Sequence, residues 1–219
     1  MGQGGAPRRA RTAAAERLAV ALSERGCPVC SCLEADARRD LAAFLREQVM
    51  DPAGRAALRA AGGFCGWHTG LLPRAADGIL SVVILAEDLL ATESPGRVRC
   101  PACATLGARA ERYLDALLDL ADAPAHRALL EAGPGVPCRP HLSRLRALGL
   151  EPRRVAAVER AIAPRLARLR ADLQGFIAKQ DYRSPAAPRD EEAQAWREAL
   201  EHLAGRPTLF GSDLARLDG

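Results

Sequence analysis

An all-α fold is predicted by three features of this 219-residue sequence. Apolar residues recur at intervals of three and four, prolines stand where helices would begin, and no alternating apolar and polar run flanks a hairpin turn. We therefore expect two repeated helical units that share one core, covered by a long C-terminal helix. The expected parts are a disordered tail (1–11), a duplicated domain (12–150, repeats at about 16–88 and 89–150) and a C-terminal helical segment (151–219) that packs on it.

The helices can be followed along the chain in two parallel series. A long amphipathic helix is predicted from Pro28 and another from Pro101, because apolar side chains follow each proline at helical spacing. A short helix then restarts at Pro52 and at Pro124, and glycines end both short helices. A further helix leaves each Cys-x-x-His motif, so each repeat has three helices.

Two more helices are predicted after the repeats. One apolar stripe runs from Val155 to Phe176 and indicates a long helix that must cover other elements. A final helix is expected over about Asp190–Ala204, with Gly205 as its stop signal. On this last helix we expect Trp196 to pack in the core with Leu200 and Leu203, which follow it at helical spacing.

Composition excludes several functional classes. The net charge is +4 with both signs interleaved, and aromatic residues make up 4%, which does not favour nucleic-acid binding. The longest apolar run, Ile79–Ala86, is too short to cross a bilayer, and the first 25 residues show no export signal. We therefore expect a cytoplasmic protein without membrane contact.

Six of the seven cysteines and two of the four histidines form a repeated pattern. Subtracting 27 from 100, 30 from 103, 65 from 138 and 68 from 141 gives 73 each time. A Cys-x-x-Cys motif followed by a Cys-x-x-His motif therefore occurs twice with identical spacing, which indicates an internal duplication. The candidate metal ligands are Cys27, Cys30, Cys65, His68, Cys100, Cys103, Cys138 and His141.

Three cysteines and one histidine per set match the closed tetrahedral coordination of structural Zn²⁺. We therefore predict two zinc ions per chain, and the remaining histidines, His126 and His202, have no partner at ligand spacing. The spacing leaves open whether a Cys-x-x-Cys pair shares its metal with the Cys-x-x-His of its own repeat or of the other. Trp67, inside the first Cys-x-x-His motif, is expected to pack over the metal knuckle.

The same cysteines allow two other interpretations. An iron–sulfur cluster can also be held by cysteines at Cys-x-x-Cys spacing. A thiol-based redox switch that releases zinc is the other alternative, because thiolates at helix N-termini have a low pKa and Cys32 adds a surplus thiol. Burial as a small apolar side chain is the simpler role for Cys32.

These motifs also carry a family resemblance. The duplicated Cys-Pro-x-Cys and Cys-x-x-His motifs, with the late segment from Phe176 to Arg183 followed by Glu192 and Trp196, resemble an uncharacterised bacterial domain-of-unknown-function family. Its members sometimes carry the label of ABC-transporter substrate-binding proteins, but this sequence lacks the alternating βα pattern of two-lobed binding proteins. The resemblance implies a metal-carrying helical fold without an assigned activity.

The four ligands of each set decide what function is expected. A catalytic zinc keeps one position open for water, and four protein ligands leave none. The chain has neither a Ser/His/Asp order nor a phosphate-binding glycine loop. We therefore predict a structural, interaction or regulatory module with an unidentified protein partner, and no enzymatic activity.

Overall fold

The computed structural model describes residues 8–92, 100–180 and 186–206. Within these ranges the chain forms ten helices and no strand, and the single β-bridge joins Gly26 to Gly135. The predicted all-α class is therefore confirmed. The helices are α1 (Arg8–Leu22), α2 (Pro28–Glu47), α3 (Pro52–Ala60), α4 (Gly66–Ala75), α5 (Ile79–Leu90), α6 (Pro101–Asp122), α7 (Pro124–Ala132), α8 (Arg139–Ala147), α9 (Pro152–Ala178) and α10 (Asp190–Ala204).

Two predictions concern the chain ends and the membrane. The expected tail of residues 1–11 is helical from Arg8, where α1 begins, and residues 1–7 lie outside the described part. None of the helices in the described ranges has both the length and the apolar character needed to cross a membrane.

The described residues divide into two compact units. Unit 1 combines the residues up to Cys32 with Glu111–Arg206, and unit 2 spans Leu33–Ala110. Each unit draws on both sequence repeats, because the divisions fall inside α2 and α6. The superposition of the repeats, the shared core and a boundary near residue 150 remain predictions.

Unit 1 is built around the long helix α9. Its buried positions lie three or four residues apart, and α7 and α10 pack along it. Helix α1 packs on α7, where Leu18 and Leu22 are completely buried. The buried side chains of α9 are Val155, Val158, Ala161, Ile162, Arg165 and Leu169.

The buried face of α10 differs from the predicted one. Trp196, Leu200 and Leu203 are about half exposed, so the expectation that they pack in the core is wrong. The face that is buried carries Glu192 and Glu198, which are held by ion pairs with Lys179 and Arg165 respectively. The packed face of α10 therefore combines two ion-paired carboxylates with the buried Ala195.

Unit 2 contains α3, α4 and α5, together with α2 from Leu33 onward and α6 up to Ala110. Pro52 begins α3 and the Asp51 carboxylate caps it, accepting hydrogen bonds from the amides of Ala53 and Gly54 at 3.1 and 3.2 Å. Asp88 of α5 forms ion pairs with Arg55 and Arg59 of α3 at 3.1 and 2.6 Å. These contacts attach α5 to the helix that precedes the first Cys-x-x-His motif.

Candidate metal centres

The structure brings all eight predicted ligands together as two groups of four. In each group the ligand atoms lie within 4.8 Å of one another, and all eight residues are buried. Each group pairs the Cys-x-x-Cys of one repeat with the Cys-x-x-His of the other. Site 1 consists of Cys27, Cys30, Cys138 and His141, and site 2 consists of Cys65, His68, Cys100 and Cys103.

Two helix starts position the ligands of site 1, which lies within unit 1. Cys27 precedes the first residue of α2 and Cys30 lies in its first turn, while Cys138 is the N-cap residue of α8. The Nδ1 atom of His141 lies 3.6 Å from the sulfurs of both Cys27 and Cys30, and 3.2 Å from the Cys138 sulfur. The Cys30 and Cys138 sulfurs are 3.9 Å apart.

Site 2, within unit 2, has the same construction. Cys65 is the N-cap residue of α4, Cys100 precedes α6, and Cys103 lies in the first turn of α6. The Nδ1 atom of His68 lies 3.1, 3.4 and 3.5 Å from the sulfurs of Cys65, Cys100 and Cys103. The Cys65 and Cys103 sulfurs are 3.6 Å apart.

These separations match the edges of a coordination tetrahedron. With metal–sulfur bonds of about 2.3 Å and metal–nitrogen bonds of about 2.0 Å, the edges are about 3.8 Å between sulfurs and about 3.5 Å between sulfur and nitrogen. The sulfur pairs at 3.6 and 3.9 Å and the sulfur–nitrogen pairs at 3.1 to 3.6 Å lie close to these values. Either group could therefore hold one metal ion with little movement.

One thiol in site 1 is far more acidic than the other two. Burial raises the pKa of the Cys27 thiol, but hydrogen bonds with the other site 1 side chains, Cys138 first, hold this pKa well below its ordinary value. Hydrogen bonds with Cys138 and Cys27 raise the pKa of Cys30. The hydrogen bond with Cys27 likewise raises the pKa of Cys138.

Site 2 shows the same contrast between its two Cys-x-x-Cys thiols, Cys100 and Cys103. Hydrogen bonds with Cys103 and Cys65 hold the pKa of Cys100 far below its ordinary value, and the hydrogen bond with Cys100 raises the pKa of Cys103. Burial lowers the pKa of the His68 imidazole, but hydrogen bonds with Cys100 and Cys65 outweigh it and raise this pKa to about 9. Without a metal ion, each pocket stabilises one thiolate beside an imidazole. Three thiolates together need a cation among them, since a buried negative charge has to be paired.

Backbone groups support the thiolate of lowest pKa. The amide of Cys138 donates a hydrogen bond to the Cys27 sulfur at 3.3 Å, and the backbone of Cys65 lowers the pKa of Cys100 in the same way. Each of these thiolates also lies at the N-terminus of a long helix, where the unpaired amides and the helix dipole favour negative charge. The donor set therefore suits a soft or borderline divalent cation.

Apolar and aromatic side chains enclose site 2. Trp67 lies against the site, with its ring centroid 4.4 Å from that of His68, so the prediction that it packs over the knuckle is confirmed. The Nδ1 atom of His68 faces the three sulfurs, whereas its Nε2 atom is buried and has no hydrogen-bond partner among the described residues. All seven cysteines are buried and free of disulfides, and Cys32 belongs to neither group of four.

Helix α10 contributes two contacts to site 1 that the sequence did not indicate. The Glu201 carboxylate accepts a hydrogen bond from the Cys27 amide at 2.8 Å. His202 Nδ1 donates to the Pro137 carbonyl at 3.0 Å, one residue before Cys138. Gly26 leaves space for the Glu201 carboxylate, because a Cβ atom at position 26 would lie 2.7 Å from it. Glu201 and His202 lie far from the ligand motifs in sequence, so the spacing of the motifs could not predict these contacts.

Replacement of Glu201 by glutamine is expected to weaken metal binding at site 1 and leave site 2 unchanged. The variant loses the charged acceptor that fixes the Cys27 amide, and partners of this kind typically change metal affinity by about 10–100-fold. Competition with a chromophoric chelator measures both affinities in one titration. Site 2, which lies in the other unit, serves as the internal control, and equal weakening of both sites would contradict the expectation.

Comparison of the chain with protein-family models, with curated proteins and with solved structures gave no match. The function therefore has to be argued from the two sites.

Proposed function

We propose that this chain is a zinc-binding helical protein with two Cys3His sites, which acts as a structural, interaction or regulatory module without enzymatic activity. The observation that carries the proposal is the convergence of four buried ligand atoms in each site at tetrahedral separations. Four protein ligands leave no coordination position for water or substrate, which is the arrangement of structural zinc.

The donor chemistry supports zinc over other ions. Thiolate and imidazole ligands suit zinc, whereas calcium and magnesium prefer oxygen. All four ligand atoms of each site lie within 4.8 Å of one another, which fits a single ion, since a cluster of several irons and bridging sulfides needs more widely spaced ligands. A reducing compartment such as the cytoplasm would keep the free thiols available for the metal.

Exposed apolar side chains support a protein partner. Helix α5 is apolar along most of its length, yet Leu85 is its only fully buried residue. Ile79, Leu80 and Leu90 are 64%, 69% and 87% exposed. Contiguous apolar surface of this kind typically marks a protein contact.

Elemental analysis of purified protein is expected to return about two zinc ions per chain, because each Cys3His set binds one ion. A sample prepared without oxygen should be colourless, since zinc is d¹⁰, whereas an iron–sulfur cluster would make it brown. If the cluster interpretation is correct, the sample will contain iron and acid-labile sulfide instead of zinc. Well-folded protein that binds no metal would refute both.

A thiol-based redox switch is the second candidate, and the observation that favours it is Cys32. This buried thiol lies two residues after Cys30, whereas the matching position beside site 2 is Thr105. Under peroxide, two thiols would form a disulfide as peroxide is reduced to water, and zinc would leave. The switch predicts faster zinc release from site 1 than from site 2, and slower release in Cys32→Ser. Equal release from both sites, or none, would exclude it.

A further inference from the structure

Unit 2 has an open apolar groove beside site 2. It encloses about 350 Å³ between α2, α3 and the first turns of α6, and Phe64, next to ligand Cys65, forms part of its wall. Phe44 and Phe64 meet there edge to face, with ring centroids 5.3 Å apart. Its other apolar walls come from Leu41, Ala57, Leu58 and Ala102.

The same positions are closed in unit 1. Adding 73 to Asp40 and Phe44 gives Tyr113 and Leu117, which are 4% and 0% exposed. Subtracting 73 from Ala102 gives Val29, which is also completely buried. In unit 2 the corresponding side chains are half-buried. An element of unit 1 therefore covers these positions, and the described part of unit 2 supplies no corresponding element.

In unit 1 helix α1 lies beside one of these positions, Tyr113. Helix α1 packs on α7, which is the counterpart of α3 in the repeat. The guanidinium of Arg17, on α1, lies 5.6 Å from the centre of the Tyr113 ring. Leu22 ends α1, and its carbonyl accepts a hydrogen bond from the amide of Gly135 at 3.1 Å. The buried side of α1 carries Ala14, Leu18, Ala21 and Leu22.

The structure points to an occupant for the groove in unit 2: we propose that the C-terminal segment, residues 207–219, docks there through Phe210, Leu214 and Leu217. These residues follow one another by four and three positions, which is the spacing of Ala14, Leu18 and Ala21 in α1. This spacing predicts one apolar face, with larger side chains than those of α1, for the segment when it docks as a helix.

The place where the described chain ends supports this occupant over a separate protein. Arg206, the last described residue, donates a hydrogen bond to the Ser31 hydroxyl of α2 at 2.9 Å, and α2 also supplies a wall of the groove. Thirteen residues follow Arg206. A segment tethered to the helix that it covers has a high effective concentration, often in the millimolar range for short flexible linkers.

Photo-crosslinking of the full-length zinc-loaded protein tests the proposal. A photoreactive phenylalanine analogue at Ala57, whose side chain is exposed on the groove wall, is expected to crosslink to residues 207–219 of the same chain. Double substitution Leu214→Ser and Leu217→Ser should reduce the crosslinked fraction at least fivefold. The matched control, Ser212→Ala with Arg216→Gln, changes positions opposite that apolar spacing and should leave the crosslinked fraction unchanged.

Several outcomes would overturn the proposal. These are a crosslink that joins two chains, a crosslink to any other segment, or no crosslink in protein that retains its metal. Equal yields in the two double variants would also contradict it. Amide hydrogen exchange gives a second readout, because deletion of residues 207–219 is expected to speed exchange in α3 several-fold, and unchanged exchange would count against docking.

Discussion

Cys30→Ser combined with Cys138→Ser is expected to remove one zinc ion per chain and leave the other bound. Cys30→Ser combined with Cys65→Ser is expected to remove both. The reason is that Cys30 and Cys138 belong to one site, with sulfurs 3.9 Å apart, while Cys65 belongs to the other. Zinc content measured by elemental mass spectrometry on gel-filtered protein separates the two results.

Pairing within each repeat gives the reverse outcome. Cys30 and Cys65 would then share a site, and their joint replacement would spare one ion, whereas replacing Cys30 and Cys138 would remove both. Cys32→Ser is the matched control, because this buried thiol stands outside both groups and its loss should leave two ions bound. Any variant that loses zinc in the pattern of within-repeat pairing refutes the arrangement described above.

The loss of site 1 should also have a large structural effect. Structural zinc sites contribute about 10–16 kcal/mol in small zinc-dependent domains, which exceeds the stability of many whole domains. Without zinc, the Cys30→Ser, Cys138→Ser variant should lose the contacts that hold the start of α2 against the start of α8. Circular dichroism is expected to show reduced helicity, and hydrogen exchange should place the loss in unit 1.

The sequence predicted which residues form the sites and could not predict how they pair. Motif spacing fixes the ligand types, since Cys-x-x-Cys and Cys-x-x-His each place two donors on one helix start. Both possible pairings give the same Cys3His composition, so composition cannot distinguish them. The choice depends on which helix starts meet in space, for instance the Cys27 sulfur accepting from the Cys138 amide.

Helix boundaries were predicted better than helix faces. Prolines and glycines mark helix ends by local sterics, and α10 was expected over the residues that it occupies. Its buried face was missed because apolar periodicity favours Trp196, whereas the packed face carries Glu192 and Glu198. A buried carboxylate needs a cationic partner, and Glu198 takes its partners, Arg165 and Arg25, from distant parts of the chain.

Replacement of Arg165 by methionine is expected to destabilise unit 1 by about 3–5 kcal/mol, because it leaves a buried carboxylate without its main counter-charge. Arg165 and Glu198 are both almost fully buried and form an ion pair, and the other cation on Glu198, Arg25, is half exposed. Arg165 also donates to the Pro134 carbonyl at 3.3 Å, just before the segment that leads to Cys138. Urea unfolding of the zinc-loaded protein, followed by circular dichroism, measures the loss.

A second substitution separates the cost of the stranded charge from the value of the ion pair. In Arg165→Met combined with Glu198→Met, the carboxylate that Arg165 paired is gone as well, so most of the lost stability should return. Arg168→Met is the control, because this exposed arginine on the same helix donates to the Glu131 carbonyl at 2.6 Å and its loss should cost about 1 kcal/mol or less. A double variant as unstable as Arg165→Met alone would mean that Arg165 acts through packing and its backbone contact. The position of α10 would then have to depend on its other contacts, including the Glu201 carboxylate on the Cys27 amide.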